Sequence, residues 1–258
     1  MDDVFLDSAG KSRRVRGVTV NSGSTLLVGL AAQVGFEVIW IEMEHGPVGF
    51  ERIESLCLAA EAGGVLPLVR LPDGERHHVL RALEVGARII LVPMVDDAVQ
   101  AARIVEYGKY PPLGVRGFNT RTRGIGFGLV APAQTMAAAN ARTHLFAQIE
   151  TLKAVENLDE ICAVEGLSGV FIGPGDLSMS MGLLGQPNHP DVVKTVLACM
   201  HRAREAGKKT GIFITPGALL DAALEGGCDL VVCGGDVMDL AAAWTNLLAA
   251  VPLKKPEP

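Results

Sequence analysis

The sequence predicts an α/β fold closed into a (β/α)8 TIM barrel. Short runs rich in Val, Ile and Leu recur eight times, and most are continuous rather than alternating. Parallel strands covered by helices read this way. A helical pattern separates each run from the next, so strand and helix alternate along the chain. The length of 258 residues suits one such barrel, and the expectation is a single domain over residues 1–258. A doubly wound open sheet is the alternative, but eight regular units favour closure.

The strands are expected at 15–20, 38–41, 66–70, 89–92, 145–149, 169–172, 211–214 and 230–233. The first helix, 24–33, follows a Ser cap. The second, 50–62, stops at Gly63-Gly64, and the third, 75–85, stops at Gly86. The fourth, 96–107, stops at Gly108, and the others are expected at 152–162, 190–206, 216–225 and 236–250. The connection 109–131 breaks this rhythm. It carries Pro111-Pro112, five Gly and three Arg, and a stretch so long without structure suits a lid, an interface segment or a variable surface loop.

Composition narrows the function. The formal net charge is -6, and the basic stretches 11–16 and 116–123 are too short to form a nucleic-acid stripe. Five Cys, an odd number with no CxxC, sit in apolar surroundings and argue against disulfides and zinc. The acidic N-terminus lacks a signal-peptide pattern, and the apolar run 240–253 is too short to cross a bilayer. A cytoplasmic protein acting on small molecules, with neither nucleic acid nor membrane as partner, is expected.

Barrel chemistry sits at the C-terminal ends of the strands. The residues expected there include Glu42, Glu44, His45, Arg70, Gln148, Glu150, Asp176 and Thr215. Glu150 and Asp176 end consecutive strands, roughly 4.8 Å apart, so the two carboxylates can grip one Mg²⁺ or Mn²⁺. Each acid alone could instead favour a helix N-terminus. His45, in a Gly/Pro turn, is a candidate base or an ordinary loop histidine. Arg70 ends an apolar strand and needs an anion, either a substrate oxyanion or Glu42 or Glu44. The turn Gly173-Pro174-Gly175-Asp176 presents backbone N–H groups to an anion. No strand end carries a Lys suited to imine chemistry, and Lys153 is the only nearby candidate.

The motifs Trp40-Ile41-Glu42-Met43-Glu44-His45-Gly46-Pro47, Pro67-Leu68-Val69-Arg70, Val85-Gly86-Ala87, Tyr110-Pro111-Pro112-Leu113-Gly114-Val115-Arg116-Gly117, Gln148-Ile149-Glu150-Thr151 and Phe171-Ile172-Gly173-Pro174-Gly175-Asp176-Leu177-Ser178 resemble the HpcH/HpaI aldolase family over nearly the whole chain. The resemblance implies a barrel of the phosphoenolpyruvate/pyruvate-domain type. It also implies a class II aldolase dependent on Mg²⁺, Mn²⁺ or Co²⁺, which cleaves a 4-hydroxy-2-oxo acid reversibly to pyruvate and an aldehyde. By the same resemblance, Glu150 and Asp176 hold the metal and His45 moves the proton. Arg70 stabilises the enolate, Gln148 lies beside the keto acid, and the Gly175 and Asp176 amides hold its carboxylate. Glu84 and Glu42 stand where the family commonly has Asp, Glu84 as the acidic partner of the base. Residues 118–124 are expected to line the aldehyde pocket. A homo-oligomer, a trimer or hexamer, is implied, with the C-terminal helix at about 236–251 on a neighbouring subunit. Two other readings stay open: oxaloacetate decarboxylation or another enolate-based lyase or synthase reaction on the same site, and a catalytically silent ligand-binding barrel.

Overall fold

The computed structural model describes residues 4–6, 9–129, 131–215 and 217–251. Eight parallel strands close into one barrel in sequence order. They are β1 (Val15–Val20), β2 (Val38–Glu42), β3 (Leu66–Arg70), β4 (Ile89–Val92), β5 (His144–Ile149), β6 (Gly169–Ile172), β7 (Lys209–Phe213) and β8 (Leu230–Gly235). The continuous apolar runs have the predicted cause. Val18, Ile39, Val69, Ile90, Ala147, Val170, Ile212 and Val231 belong to the outer core shared with the helices. Their alternating neighbours Val15, Val38, Leu68, Ile89, Phe146, Phe171, Leu230 and Val232 fill the barrel interior. Both faces are dry, so both are apolar.

The helices are α1 (Thr25–Val34), α2 (Phe50–Ala62), α3 (Arg76–Glu84), α4 (Ala98–Gly108), α5 (Pro132–Arg142), α6 (Leu152–Glu156), α7 (Leu158–Ala163), α8 (Pro174–Ser180), α9 (Pro190–Glu205), α10 (Ala218–Glu225) and α11 (Asp236–Ala250). Ser24 caps α1 by accepting from the Leu27 amide, as its sequence position predicts. The expected start of α10 at Pro216 lies outside the described residues, as do Val130 in the long connection and residues 252–253 of the last apolar run.

Three departures from the sequence reading have physical causes. The single helix expected at 152–162 is two helices that meet at Asn157, which keeps its backbone bonds to Lys153 and Ile161 but departs from helical dihedrals, at φ -88 and ψ 9, and turns its side-chain amide to the Asp96 carbonyl. The stretch after β6 forms a helix of its own, α8, which starts with Pro174 and carries Asp176 in its first turn. The connection 109–131 contains a 3-10 segment, Arg123–Gly128, and is followed by α5, which the Ala-rich sequence concealed. That connection packs along α3 and the N-terminal end of the barrel. Gly124 lies against the Leu83 carbonyl, where a Cβ would be 2.4 Å away. None of the connection's described residues lines the mouth at the opposite end.

Bulky rings and glycines share the barrel interior. Trp40 meets Phe171 and Phe213 edge-to-face at 5.1 and 6.1 Å. A Cβ on Gly211 would lie 2.4 Å from the Phe171 ring, so glycine makes room for the phenylalanine. Phe5 is fully buried at the N-terminal end, 5.1 Å from the His144 ring, with the Lys209 Nζ 4.7 Å from its centroid. Among the described residues no helix is long and apolar enough to cross a membrane.

Candidate active site

Strand alternation builds the site. Two residues past each buried interior side chain comes the next inward position, one layer higher. Trp40 is followed by Glu42, Leu68 by Arg70, Phe146 by Gln148 and Glu150, and Phe171 by Gly173. Glu42, Arg70, Gln148, Gly173 and Asp176 line a mouth of about 630 Å³ with Thr19, Asn188 and Thr215. Sequence reading therefore found most of the polar rim.

Glu42 is the organising carboxylate. It is 2% exposed and accepts four hydrogen bonds and one further ion-pair contact. Oε2 takes Trp40 Nε1 at 3.0 Å, Arg70 Nε at 2.7 Å and Arg70 Nη2 at 2.6 Å. Oε1 takes the amides of Glu44 and His45 at 2.6 and 3.0 Å, which shapes the turn after β2. Gly46 is required in that turn, since a Cβ there would sit 2.7 Å from the Glu42 carbonyl. Arg70 also reaches Glu44 through Nη1 at 3.1 Å and lies over the Trp40 ring at 5.0 Å. The structural partners expected for Arg70 are thus both present. All three of its nitrogens contact a carboxylate oxygen, but only Nε does so as a hydrogen bond, so N–H groups on the two Nη atoms remain for a ligand.

Glu150 follows β5 beside Gln148 and is 3% exposed. Oε1 accepts from the Met94 amide at 2.7 Å and Oε2 from Gln148 Nε2 at 2.5 Å. Burial pushes its carboxyl up to about 7; the Met94 amide opposes this, while Asp176 and Glu44 add to it. Burial also raises Glu44, against the pull of Arg70. Met94 holds its amide there at φ 54, a conformation unusual for a residue with a side chain. Sequence reading ends the fourth strand at Pro93-Met94 but gives Met94 no role, because nothing in the residue type signals its backbone angle. It also missed Thr19, Asn21 and Asn188.

A cation can be accommodated. Glu150 and Asp176 are two oxygen ligands of the kind Mg²⁺ takes, with water and substrate completing the shell. Gly173 keeps the space open, for a Cβ there would come within 2.8 Å of Glu150 Oε2. Gln148 Oε1 is buried with no hydrogen-bond partner, an acceptor left for a ligand. Among the described residues no cluster of three or more His, Cys, Asp or Glu side chains forms, so the protein offers the pair alone.

The other candidates are placed as follows. His45 stands on the rim, its side chain 68% exposed, with Nε2 3.9 Å from Glu44. Thr215 is exposed at the mouth, and Gly175 and Pro174 form the first turn of α8. Glu84 is not brought to this site. It ends α3 at the N-terminal end of the barrel and pairs with Arg116 at 2.9 Å. A helix following β3 must run back down the barrel, so its last residue cannot reach the turn after β2 of the same chain. Lys153 is also elsewhere, 60% exposed and 3.8 Å from Asp96.

A closed parallel barrel with acids and a buried guanidinium gathered at its strand C-termini defines a barrel enzyme. Residues 17–243 match the HpcH/HpaI aldolase/citrate lyase family, and the chain belongs to it. It is a carbon–carbon lyase acting on small molecules. A hydroxypyruvate/pyruvate aldolase from Roseobacter denitrificans is 34% identical, covering 96% of both chains. A 2-keto-3-deoxy-L-rhamnonate aldolase from Salmonella gallinarum is 35% identical, covering 90% of this chain and 87% of its own. The crystal structure of an HpcH/HpaI aldolase from Desulfitobacterium hafniense DCB-2 superposes with a TM-score of 0.89 at 32% identity, covering 95% of this chain and 96% of that one.

Proposed function

We propose that the chain cleaves a 4-hydroxy-2-oxo acid reversibly to pyruvate and an aldehyde, using Mg²⁺, Mn²⁺ or Co²⁺ held by Glu150 and Asp176. The observation that carries this reading is the buried Glu150 beside the unpartnered Gln148 Oε1, with Asp176 near enough to help raise the Glu150 carboxyl. A divalent cation there would supply Lewis acidity toward the 2-oxo group and so acidify the adjacent methyl.

The protein's own groups do the rest. N–H groups of the Arg70 Nη atoms serve the oxygen on which enolate charge develops, and Glu42 holds that guanidinium in place beforehand. Gln148 orients the keto acid. The first-turn amides of α8, at Gly175 and Asp176, have no partner within their helix and hold the substrate carboxylate. His45, on the rim with solvent access, moves the proton between substrate and water. Thr215 and Glu44 border the path of the aldehyde.

The same reading extends to assembly. α11 buries none of its residues, and Val237, Met238, Trp244, Leu247 and Leu248 stand exposed on it. An apolar face of this kind suits a second copy of the chain, in a trimer or hexamer of single-domain subunits. Five unbridged cysteines, four buried and Cys233 half-buried, suit a reducing cytoplasm.

The decisive test is deuterium exchange at the pyruvate methyl in D₂O, followed by proton NMR after chelation and again with each ion restored. Exchange only with a divalent ion is expected. Its absence with every ion would overturn the assignment.

A further inference from the structure

Among the described residues, four buried side-chain polar atoms have no hydrogen-bond partner. Gln148 Oε1 belongs to the mouth. The other three, Glu84 Oε2, Tyr110 Oη and Arg116 Nε, lie together near the opposite end of the barrel. Arg116, its side chain 2% exposed, pairs with Glu84 and stacks on the Tyr110 ring at 4.6 Å. It also borders a cavity of about 360 Å³.

Cations dominate that cavity. Arg88, Arg116, Arg123 and Arg142 line it, against the single carboxylate Glu61, with Glu84 behind Arg116. Glu61 and the Val85 carbonyl answer Arg123. Arg142 turns only its Nε to the Ala138 carbonyl. Among the described residues neither Arg88 nor Arg142 has a carboxylate within ion-pair distance. Helices α2, α3 and α5 end here, and their C-terminal carbonyls offset part of the charge. Arg88 is half-buried; burial first, then Arg142, pulls down its pKa, while Glu61 opposes this and Arg123 adds to it. A half-buried guanidinium among like charges is relieved by an anion, and the planar fork suits phosphate and carboxylate oxygens.

We propose that this cavity is a second binding site, separate from the catalytic mouth, for a small oxyanion of phosphate or carboxylate type held by Arg88 and Arg142 in front of Arg116. The site goes beyond the proposed aldol chemistry and does not depend on it.

Isothermal titration of the full-length protein with inorganic phosphate, and separately with citrate, tests it. The Arg70→Gln background, with chelator present to keep divalent ions out, weakens the mouth as a competing site. Saturable binding with at least one of the two anions is expected, weakened at least tenfold by Arg88→Gln and by Arg142→Gln. Arg142 is exposed, so its variant folds even if Arg88→Gln does not. Arg142→Gln should leave pyruvate methyl exchange unchanged in the otherwise wild-type enzyme. Two results would overturn the proposal: no saturable binding of either anion, or binding that Arg142→Gln and a folded Arg88→Gln leave intact. Sedimentation velocity separates a third case. If neither anion binds and Arg142→Gln instead weakens self-association, the cavity receives a carboxylate of a second copy, and the free-anion site is refuted.

Discussion

Replacing Glu42 by Gln isolates what holds Arg70. The substitution keeps the shape and removes the charge. All five contacts to Glu42 come from donors: the Trp40 indole, two Arg70 nitrogens and two backbone amides. A glutamine must turn its NH₂ toward one of those sets, so donor faces donor on either flip. Arg70 is 13% exposed, so solvent screens the broken pair little. Removing one partner of a buried ion pair costs about 3–5 kcal/mol. For a chain of this size that lowers Tm by roughly 6–20 °C. Glu44, at 3.1 Å, retains one contact to Arg70 and places the loss toward the lower end. Urea unfolding followed by circular dichroism measures it, alongside the rate of pyruvate methyl exchange. A Glu42→Gln protein less than about 1 kcal/mol destabilised, with full exchange, would refute the idea that this carboxylate organises the rim.

Other substitutions test other parts of the structure. Gly173→Ala puts a methyl 2.8 Å from Glu150 Oε2 and 3.0 Å from Gln148 Nε2; divalent-ion affinity should fall by roughly tenfold or more, read by titration calorimetry, with about 1–3 kcal/mol of overpacking cost. Gly211→Ala drives a methyl into the Phe171 ring and should cost about 1–3 kcal/mol by urea unfolding. Glu37 supplies the pH test. Burial raises its carboxyl, but the Arg16 amide and the Arg13 and Arg16 guanidinium groups outweigh it and hold it below the usual 4.5. Its stabilisation is therefore complete above the unfolded value and is lost as pH falls through the depressed folded value. Glu37→Gln should flatten the stability profile below about pH 4.5, measured as Tm against pH. Trp244→Ser with Leu247→Ser on α11 should leave the monomer fold intact and reduce the sedimentation coefficient; an unchanged assembly would remove α11 from the subunit contact.

The barrel was legible because its period-two interior and its helix stops are local. Continuous Val and Ile runs, Gly63-Gly64 after α2 and Gly86 after α3 mark element ends without tertiary information. The rim was legible for the same reason, since Glu42, Arg70, Gln148 and Glu150 occupy the last inward positions of apolar strands. What stayed hidden depends on geometry between distant residues. The Met94 amide serves Glu150 through a positive φ that no side chain announces. The Arg116–Glu84 pair joins residues 32 apart in sequence, and it forms at the end of the barrel away from the mouth. Glu84 entered the site by resemblance, and the path of α3 takes it away within this chain. Residues 118–124 were expected at the aldehyde pocket; within this chain they follow α3 and do not line its own mouth.

The indole of Trp40 belongs to two systems at once. Its edge is packed against Phe171 and Phe213 in the barrel interior, while its Nε1 fixes Glu42 and its face lies beneath Arg70. The floor of the reaction chamber is thus the ceiling of the hydrophobic core. Enlarging the chamber downwards must repack the barrel, and any gain in substrate range carries a folding defect with it. Widening it sideways, at Asn188, Thr215 or Met238, disturbs only the loop and helix walls. New acceptor preferences in this lineage have one open direction of travel, around the rim.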